Sequence, residues 1–156
     1  MPKIELALET AMGNQIPNAQ ITEISQFELN QYHDLERKYG AFMKPRGDSV
    51  LRYNCHGMTF ASRRTGIFED QVIYQILEED SYQEIPSNEV LAGDIILYFG
   101  ENGDVEHSAT VISPPNEDML GIPVVCGKWA KYKEVIHKAN QGPYNFSRAR
   151  YYRVQT

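Results

Sequence analysis

Cys55 and His107 are the two residues of this chain whose side chains could together perform nucleophilic chemistry. A cysteine attacks as its thiolate, and the pKa of a thiol falls most readily at the start of a helix or beside an imidazolium. Cys55 stands in "RYNCHGMTFASRR", where a helix is expected to begin, and His107 opens the apolar stretch "HSATVIS". A rigid strand can hold an imidazole against a helix N-terminus as a general base. The pair therefore predicts acyl transfer through a Cys55 thiolate and a His107 base.

The other residues near the nucleophile are expected to play supporting roles. His56 follows Cys55 directly, so on a helix it should point about 100° away from the thiol. His33 falls on a predicted helix, where a surface role is the simpler interpretation. We expect His56 to be structural or to face the substrate, and Tyr53 and Asn54 to line the substrate groove.

The predicted secondary structure that must hold this pair changes from helices to strands along the chain. Apolar spacing predicts a first helix within residues 24–39, a second from Cys55 to about Arg64, and a third in "FEDQVIYQILEED". Residues 43–54 should form a loop or a short extended piece. Beyond Pro86 the pattern becomes five short apolar runs separated by turn residues: "DIILYF", "HSATVIS", "IPVVCGKWA", "KEVIHK" and "RARYYRV". Helices followed by strands in 156 residues predict a single α+β domain with an antiparallel sheet of about five strands.

The order of these elements resembles the NlpC/P60 group of papain-like cysteine peptidases. Three stretches carry the resemblance: "RYNCHGMTFASRR" with its cysteine at the head of a helix, "LAGDIILYF" with Gly-Asp before a strand, and "EHSATVIS" with its histidine opening the next strand. The similarity extends over roughly residues 45–154. It implies a papain-like core over residues 45–156, preceded by a helical extension over residues 1–44.

The chain departs from that family at two places. The family usually has Asp-Cys-Ser-Gly at the nucleophile, whereas residues 54–57 here are Asn-Cys-His-Gly. Its third catalytic residue is typically His, Asn or Gln on the strand after the histidine, and "IPVVCGKWA" contains none of these. A hairpin across "PPNEDMLG" would place Lys128 beside His107, and His137 lies one strand further on. Lys128 and His137 are therefore candidate orienting residues, and a Cys-His dyad or a backbone carbonyl in the third role are the alternatives.

The resemblance implies a cysteine hydrolase that cleaves a peptide or another amide without a cofactor. Bacterial cell-wall peptides are the substrates that the family suggests. Two other classes of function stay open. The chain could be a non-catalytic module that binds a peptide or a protein partner on the same scaffold, or it could be an inhibitor or immunity-type partner with an acidic face. It could also be an effector that deamidates a protein or transfers an acyl group to it.

The two cysteines allow two further interpretations. A disulfide between Cys55 and Cys126 would abolish the nucleophile, although a domain of this size does not need one. Structural zinc sites usually contain ligand pairs at short spacing, and this chain has no such pair. We therefore expect no metal at the residues that would have to supply zinc ligands: Cys55, His56, His107, Cys126 and His137.

Charge and hydropathy narrow the partners and the compartment. The formal net charge is −6 and the basic residues are scattered, which argues against nucleic acid and against an anionic membrane surface. No stretch approaches the roughly 18 apolar residues of a membrane span, and "MPKIELALETAMGNQ" lacks the pattern of a signal peptide. We expect a protein that is cytoplasmic as synthesised. A cell-wall substrate would then require delivery by a dedicated secretion system.

Overall fold

The computed structural model describes residues 4–115, 120–129 and 132–155. Within these residues the chain forms three α-helices and one antiparallel sheet of seven strands. The helices are α1 (Gln26–Tyr39), α2 (Cys55–Phe60) and α3 (Asp70–Glu79). The strands are β1 (Met43–Arg46), β2 (Tyr82–Ile85), β3 (Ile95–Phe99), β4 (Val105–Ser113), β5 (Val124–Trp129), β6 (Lys133–Lys138) and β7 (Ala149–Val154). Their order across the sheet is β1-β6-β5-β4-β3-β7-β2.

This architecture confirms the predicted α+β class with an antiparallel sheet, but the strand count of about five was too low. All five predicted strands are present, and two short ones complete the edges: β1 pairs with β6, and β2 pairs with β7. Each has only four residues, too few for a recognisable alternation of apolar and polar side chains. Pro45 is compatible with β1 because an edge strand has one side free of ladder hydrogen bonds.

Helix α2 is shorter than expected, since it ends at Phe60 and not near Arg64. Ser62 and Arg63 adopt φ values of 53° and 63°, in the left-handed region that cannot continue an α-helix. The Arg63 guanidinium instead bonds to Glu134 on β6, with Nε 2.5 Å from Oε2 and Nη2 3.2 Å from Oε1. This contact joins the chain just after α2 to the sheet.

The two faces of the sheet bury different clusters. One face packs against α3, and its cluster includes Ile73, Ile76, Ile95, Leu97 and Val105. The opposite face carries a second cluster that includes Ile96, Tyr98, Ala109, Val111 and Val125. Successive residues of a strand point to opposite faces, which is why Ile96 and Leu97 belong to different clusters.

Helix α1 packs on the sheet through Tyr32, its one buried residue. The helix begins at a capping box in which Ser25 Oγ accepts a hydrogen bond from the Glu28 amide at 3.1 Å. Tyr32 joins a cluster built from three strands: Met43 of β1, Trp129 of β5 and Val135 of β6. Strand β1 itself runs across the predicted boundary between residues 44 and 45.

Gly57 marks the closest approach of α2 to another segment of backbone. A Cβ at this position would overlap the carbonyl oxygen of Thr65 and lie 2.9 Å from its carbonyl carbon. Only a residue without a side chain allows this approach, so the glycine after "NCH" is required by packing. The contact holds the first turn of α2 against residues 65–67.

We expect Gly57→Ala to lower the free energy of unfolding by about 3 kcal/mol or more, because the new methyl group must displace the backbone at Thr65. Urea unfolding followed by circular dichroism measures the change. Gly40→Ala is the matched control: a Cβ there meets nothing within 4 Å. That variant should stay within about 1 kcal/mol of the wild type. Equal stability of the two variants would contradict the close approach of α2 to Thr65.

Candidate active site

Cys55 is the first residue of α2, and Asn54 anchors it there. The Asn54 Oδ1 accepts hydrogen bonds from the Gly57 amide at 2.9 Å and from the Ile67 amide at 3.0 Å. Its Nδ2 donates to the Ile67 carbonyl at 2.6 Å. The side chain is therefore both the N-cap of α2 and a clamp on the following segment. Asn54, which we expected to line the groove, is buried and has both amide atoms engaged within the chain.

Lys128 holds the segment that leads to the nucleophile. This β5 side chain is 2% exposed, and its Nζ donates to the carbonyl oxygens of Tyr53, at 2.6 Å, and Val50. The ammonium also lies 3.5 Å from the centroid of the Tyr53 ring. Burial lowers the pKa of Lys128 to about 8, although the charge of Glu134 opposes the shift. The predicted orienting residue thus positions the backbone before Cys55.

A buried network continues from this segment to β6. The Tyr53 hydroxyl donates to Glu134 Oε2 at 2.5 Å, and Cys126 Sγ lies 3.6 Å from Glu134 Oε1. Burial would raise the pKa of Glu134, but hydrogen bonds from Arg63 and Tyr53 outweigh it and lower that pKa. Tyr53, the second expected groove residue, is therefore fixed inside the protein by its hydroxyl group. Its place in a substrate groove stays a prediction.

His107 follows an irregularity in the pairing of β4 with β3. Tyr98 pairs with His107 and the next residue, Phe99, pairs with Val105, so the register shifts between these two pairs. Such a bulge changes the direction of the strand locally, and bulges often occur beside functional side chains. The shift places Val105 in the α3 cluster and directs His107 to the other face of the sheet.

The His107 ring is held by stacking. It is fully buried and lies flat on Tyr144, with centroids 3.9 Å apart and planes 4° apart. On the neighbouring strand, a Cβ at Gly127 would lie 2.8 Å from His107 Nε2, so the glycine provides the space for the ring. Lys128, the next residue of β5, points to the opposite face, away from this ring. Neither ring nitrogen of His107 has a hydrogen-bond partner within the described part of the chain.

Two imidazoles lower the pKa of the Cys55 thiol. Burial would raise its pKa, but the nearby charges of His56 and His107 outweigh that effect and hold the pKa well below its ordinary value. Cys55 as a residue is partly exposed. Cys126 differs on both counts: it is buried, and burial raises the pKa of its thiol. The structure thus brings the predicted nucleophile and base near each other.

His56 affects the Cys55 thiol more than its position on the helix suggested, because its charge lowers the pKa of that thiol. It is 3% exposed, and its Nδ1 lies 2.8 Å from Ser108 Oγ. Its Nε2 lies 3.8 Å from Asp70 Oδ1, at the first residue of α3. The sequence alone assigned no role to Ser108 or Asp70. The only hints of a role were that Ser108 follows His107 and that Asp70 lies at the start of a predicted helix. A groove-lining role for His56 stays a prediction.

His137 lies on β6, one strand beyond β5. Its Nδ1 is 2.6 Å from the Lys138 carbonyl oxygen, and its ring centroid lies 5.1 Å from that of Trp129. Burial lowers the pKa of His137 to about 4, and the charge of His107 acts in the same direction. Its Nε2 has no hydrogen-bond partner among the described residues. The structure places His137 near enough to His107 for their charges to interact, and its orienting role stays a prediction.

The two cysteines are free thiols. Across residues 4–115, 120–129 and 132–155, no group of three or more His, Cys, Asp or Glu side chains is arranged to hold a metal ion. No helix within these same ranges is long and apolar enough to cross a membrane.

Comparisons with known proteins supply no relative for this chain. No family model, curated protein or solved structure matches it. The functional interpretation therefore depends on the residues and geometry of the site.

We expect Cys55 to react with iodoacetamide at pH 6, where an ordinary thiol, with a pKa of about 8.5, is almost entirely protonated. Mass spectrometry of the digested protein compares the modification of Cys55 with that of Cys126, which is the internal control. Cys126 should remain unmodified until the protein unfolds, because it is buried and its thiol pKa is raised. A Cys55 rate that rises only near pH 8.5 would contradict the lowered pKa.

His137 should make the fold less stable in acid. Its pKa of about 4 in the folded state lies below the unfolded value of 6.5, so the unfolded chain binds the proton first. Stability is complete above pH 6.5, and on the order of 3 kcal/mol is lost as the pH falls to 4. Urea unfolding at pH 7 and pH 4 should show that His137→Asn removes this loss. The control His33→Asn, on exposed α1, should keep it; identical losses in both variants would refute the prediction.

Proposed function

We propose that this chain is a cysteine-dependent amide hydrolase in which Cys55 is the nucleophile and His107 the general base and acid. One observation carries the proposal: Cys55, a partly exposed residue, begins α2, and neighbouring imidazoles hold the pKa of its thiol well below the ordinary value. His107 supports the assignment because both of its buried nitrogens lack partners within the described residues. A buried polar group without a partner often marks a functional site.

The chemistry follows from these two groups. The Cys55 thiolate attacks the amide carbonyl carbon, and His107 donates a proton to the leaving amine as the carbon–nitrogen bond breaks. The product is a thioester on Cys55. A water molecule then gives its proton to His107 and attacks the thioester, which releases the acid and restores the thiolate. In the first turn of α2, the Cys55 amide is the donor we assign to the oxyanion, since the Gly57 amide already bonds to Asn54.

The substrate class follows from the NlpC/P60 resemblance, so we propose a bacterial cell-wall peptide or a related amide. Three features support a papain-like arrangement: α2 packs on β4 and β5, the sheet is antiparallel, and Gly93 and Asp94 directly precede β3. Asp94 bonds Arg153 of β7 through both carboxylate oxygens at 2.7 Å. Asp94, from the Gly-Asp pair before β3, therefore has a structural role, because it forms an ion pair with β7. Action on a cell wall would require delivery of the protein to that compartment.

A second candidate is a peptide-binding domain without turnover. The observation that favours it is the absence of an orienting hydrogen bond to His107 within the described residues. In Cys-His hydrolases a third group usually fixes the imidazole, and removal of such a group lowers the rate strongly. Stacking on Tyr144 is the structural feature that could replace it.

Cys55→Ala and His107→Ala should each reduce turnover by more than about a thousandfold, because each removes a group that forms or breaks bonds. The assay digests purified peptidoglycan and identifies released peptides by mass spectrometry. Cys126→Ala and His33→Ala are the matched controls and should retain activity, with folding verified by circular dichroism. Activity that survives in either site variant would refute the mechanism. Binding of peptidoglycan fragments without any product would select the second candidate.

A further inference from the structure

The contacts around His56 indicate which atoms can donate hydrogen bonds and which can accept them. Thr59 Oγ1 lies 3.0 Å from the Cys55 carbonyl oxygen, which can only accept, so the Thr59 hydroxyl donates. Ser108 Oγ lies 3.0 Å from Thr59 Oγ1 and 3.3 Å from the same carbonyl oxygen, and either atom can accept its proton. With the proton on either of them, the lone pairs of Ser108 Oγ face His56 Nδ1 at 2.8 Å. In that arrangement His56 is the donor at Nδ1.

The second nitrogen of His56 also faces an acceptor. Nε2 lies 3.8 Å from the Asp70 carboxylate, which at neutral pH can only accept. An imidazolium carries a proton on both nitrogens and so suits a ring between a hydroxyl oxygen and a carboxylate, whereas the neutral ring has one donor and one acceptor. Burial alone would lower the pKa of His56, but the charge and hydrogen bond of Cys55, the charge of Asp70 and a backbone bond to Val105 raise it.

Other titratable groups also interact with the charges of Cys55 and Asp70. Lys128 from β5 and Tyr144 from the segment before β7 both interact with the charge of Cys55, and Asp104 acts on Asp70. His107 from β4 is the second imidazole beside the thiol. The charge of His107 also lowers the pKa of the Cys55 thiol, by less than the charge of His56 does.

We propose that His56 is a positioning residue, a permanent imidazolium held by Ser108 and Asp70 that contributes more than His107 to keeping Cys55 as a thiolate. The two imidazoles then have separate roles. His56 keeps its proton throughout the cycle, whereas His107 gains and loses one. This inference rests on the proposed role of Cys55 as nucleophile, and it adds the source of its negative charge.

The separation of roles makes different predictions for the two histidines. His56→Gln replaces the cation by a neutral amide, so the pH midpoint of Cys55 alkylation should rise by at least about one unit. The acid limb of any turnover profile should move with it. His107→Gln should raise the alkylation midpoint by less than His56→Gln does, and it should abolish turnover. Asp70→Asn, at a half-exposed position that tolerates the change, should raise the midpoint by a smaller amount.

The test is the rate of iodoacetamide alkylation of Cys55 from pH 4 to pH 10, measured by mass spectrometry with Cys126 as internal control. The wild type, the three site variants and His33→Gln as a surface control are compared after thermal unfolding confirms that each is folded. A midpoint that rises more in His56→Gln than in His107→Gln supports the proposal. A midpoint that rises at least as much in His107→Gln as in His56→Gln overturns it, and so do unchanged midpoints in all three variants.

The same experiment separates this inference from the proposed function, because alkylation needs no substrate. If the midpoints depend on His56 but peptidoglycan and peptide amides are never cleaved, the hydrolase proposal fails and the thiolate inference stands. If turnover is found and the midpoint depends on His107 alone, the hydrolase proposal stands and the role of His56 is refuted.

Discussion

The site depends on the three hydrogen bonds of the Asn54 side chain, which tie the start of α2 to the backbone at Ile67. They fix the direction in which α2 begins, and Gly57 allows the helix to approach Thr65 without a side chain between them. Because this anchor is built from backbone contacts, the position of Cys55 does not depend on a flexible loop. Lys128 applies a second constraint to the carbonyl groups before it.

Buried polar groups near α2 fall into two kinds. Glu134 and Lys128 are buried and hydrogen-bonded to partners on other segments, as expected for charged groups removed from water. His107 and His137 are equally buried, yet three of their four ring nitrogens lack partners among the described residues. The first kind holds the scaffold together. The second kind is concentrated on the face where the proposed proton transfer takes place.

Two imidazoles lie near one thiol, one more than a Cys-His pair needs. A hydrogen-bond network runs from the Cys55 carbonyl oxygen through Thr59 and Ser108 to His56. That network is separate from the face on which His107 stacks on Tyr144. In the proposed mechanism, His56 and His107 therefore have separate functions: His56 stabilises the charge of the nucleophile, and His107 transfers the proton.

The sequence by itself determined the α+β class, the position of Cys55 at a helix start and the strand that carries His107, because apolar spacing and turn residues are local signals. Strands β1 and β2 escaped prediction because four residues carry little periodicity and their pairing partners are distant in the chain. The tertiary structure alone decided that His56 meets Ser108 and Asp70, since those contacts depend on how α2, α3 and β4 pack together. Adjacency on one helix predicts where a side chain points, but only packing decides which groups it meets there.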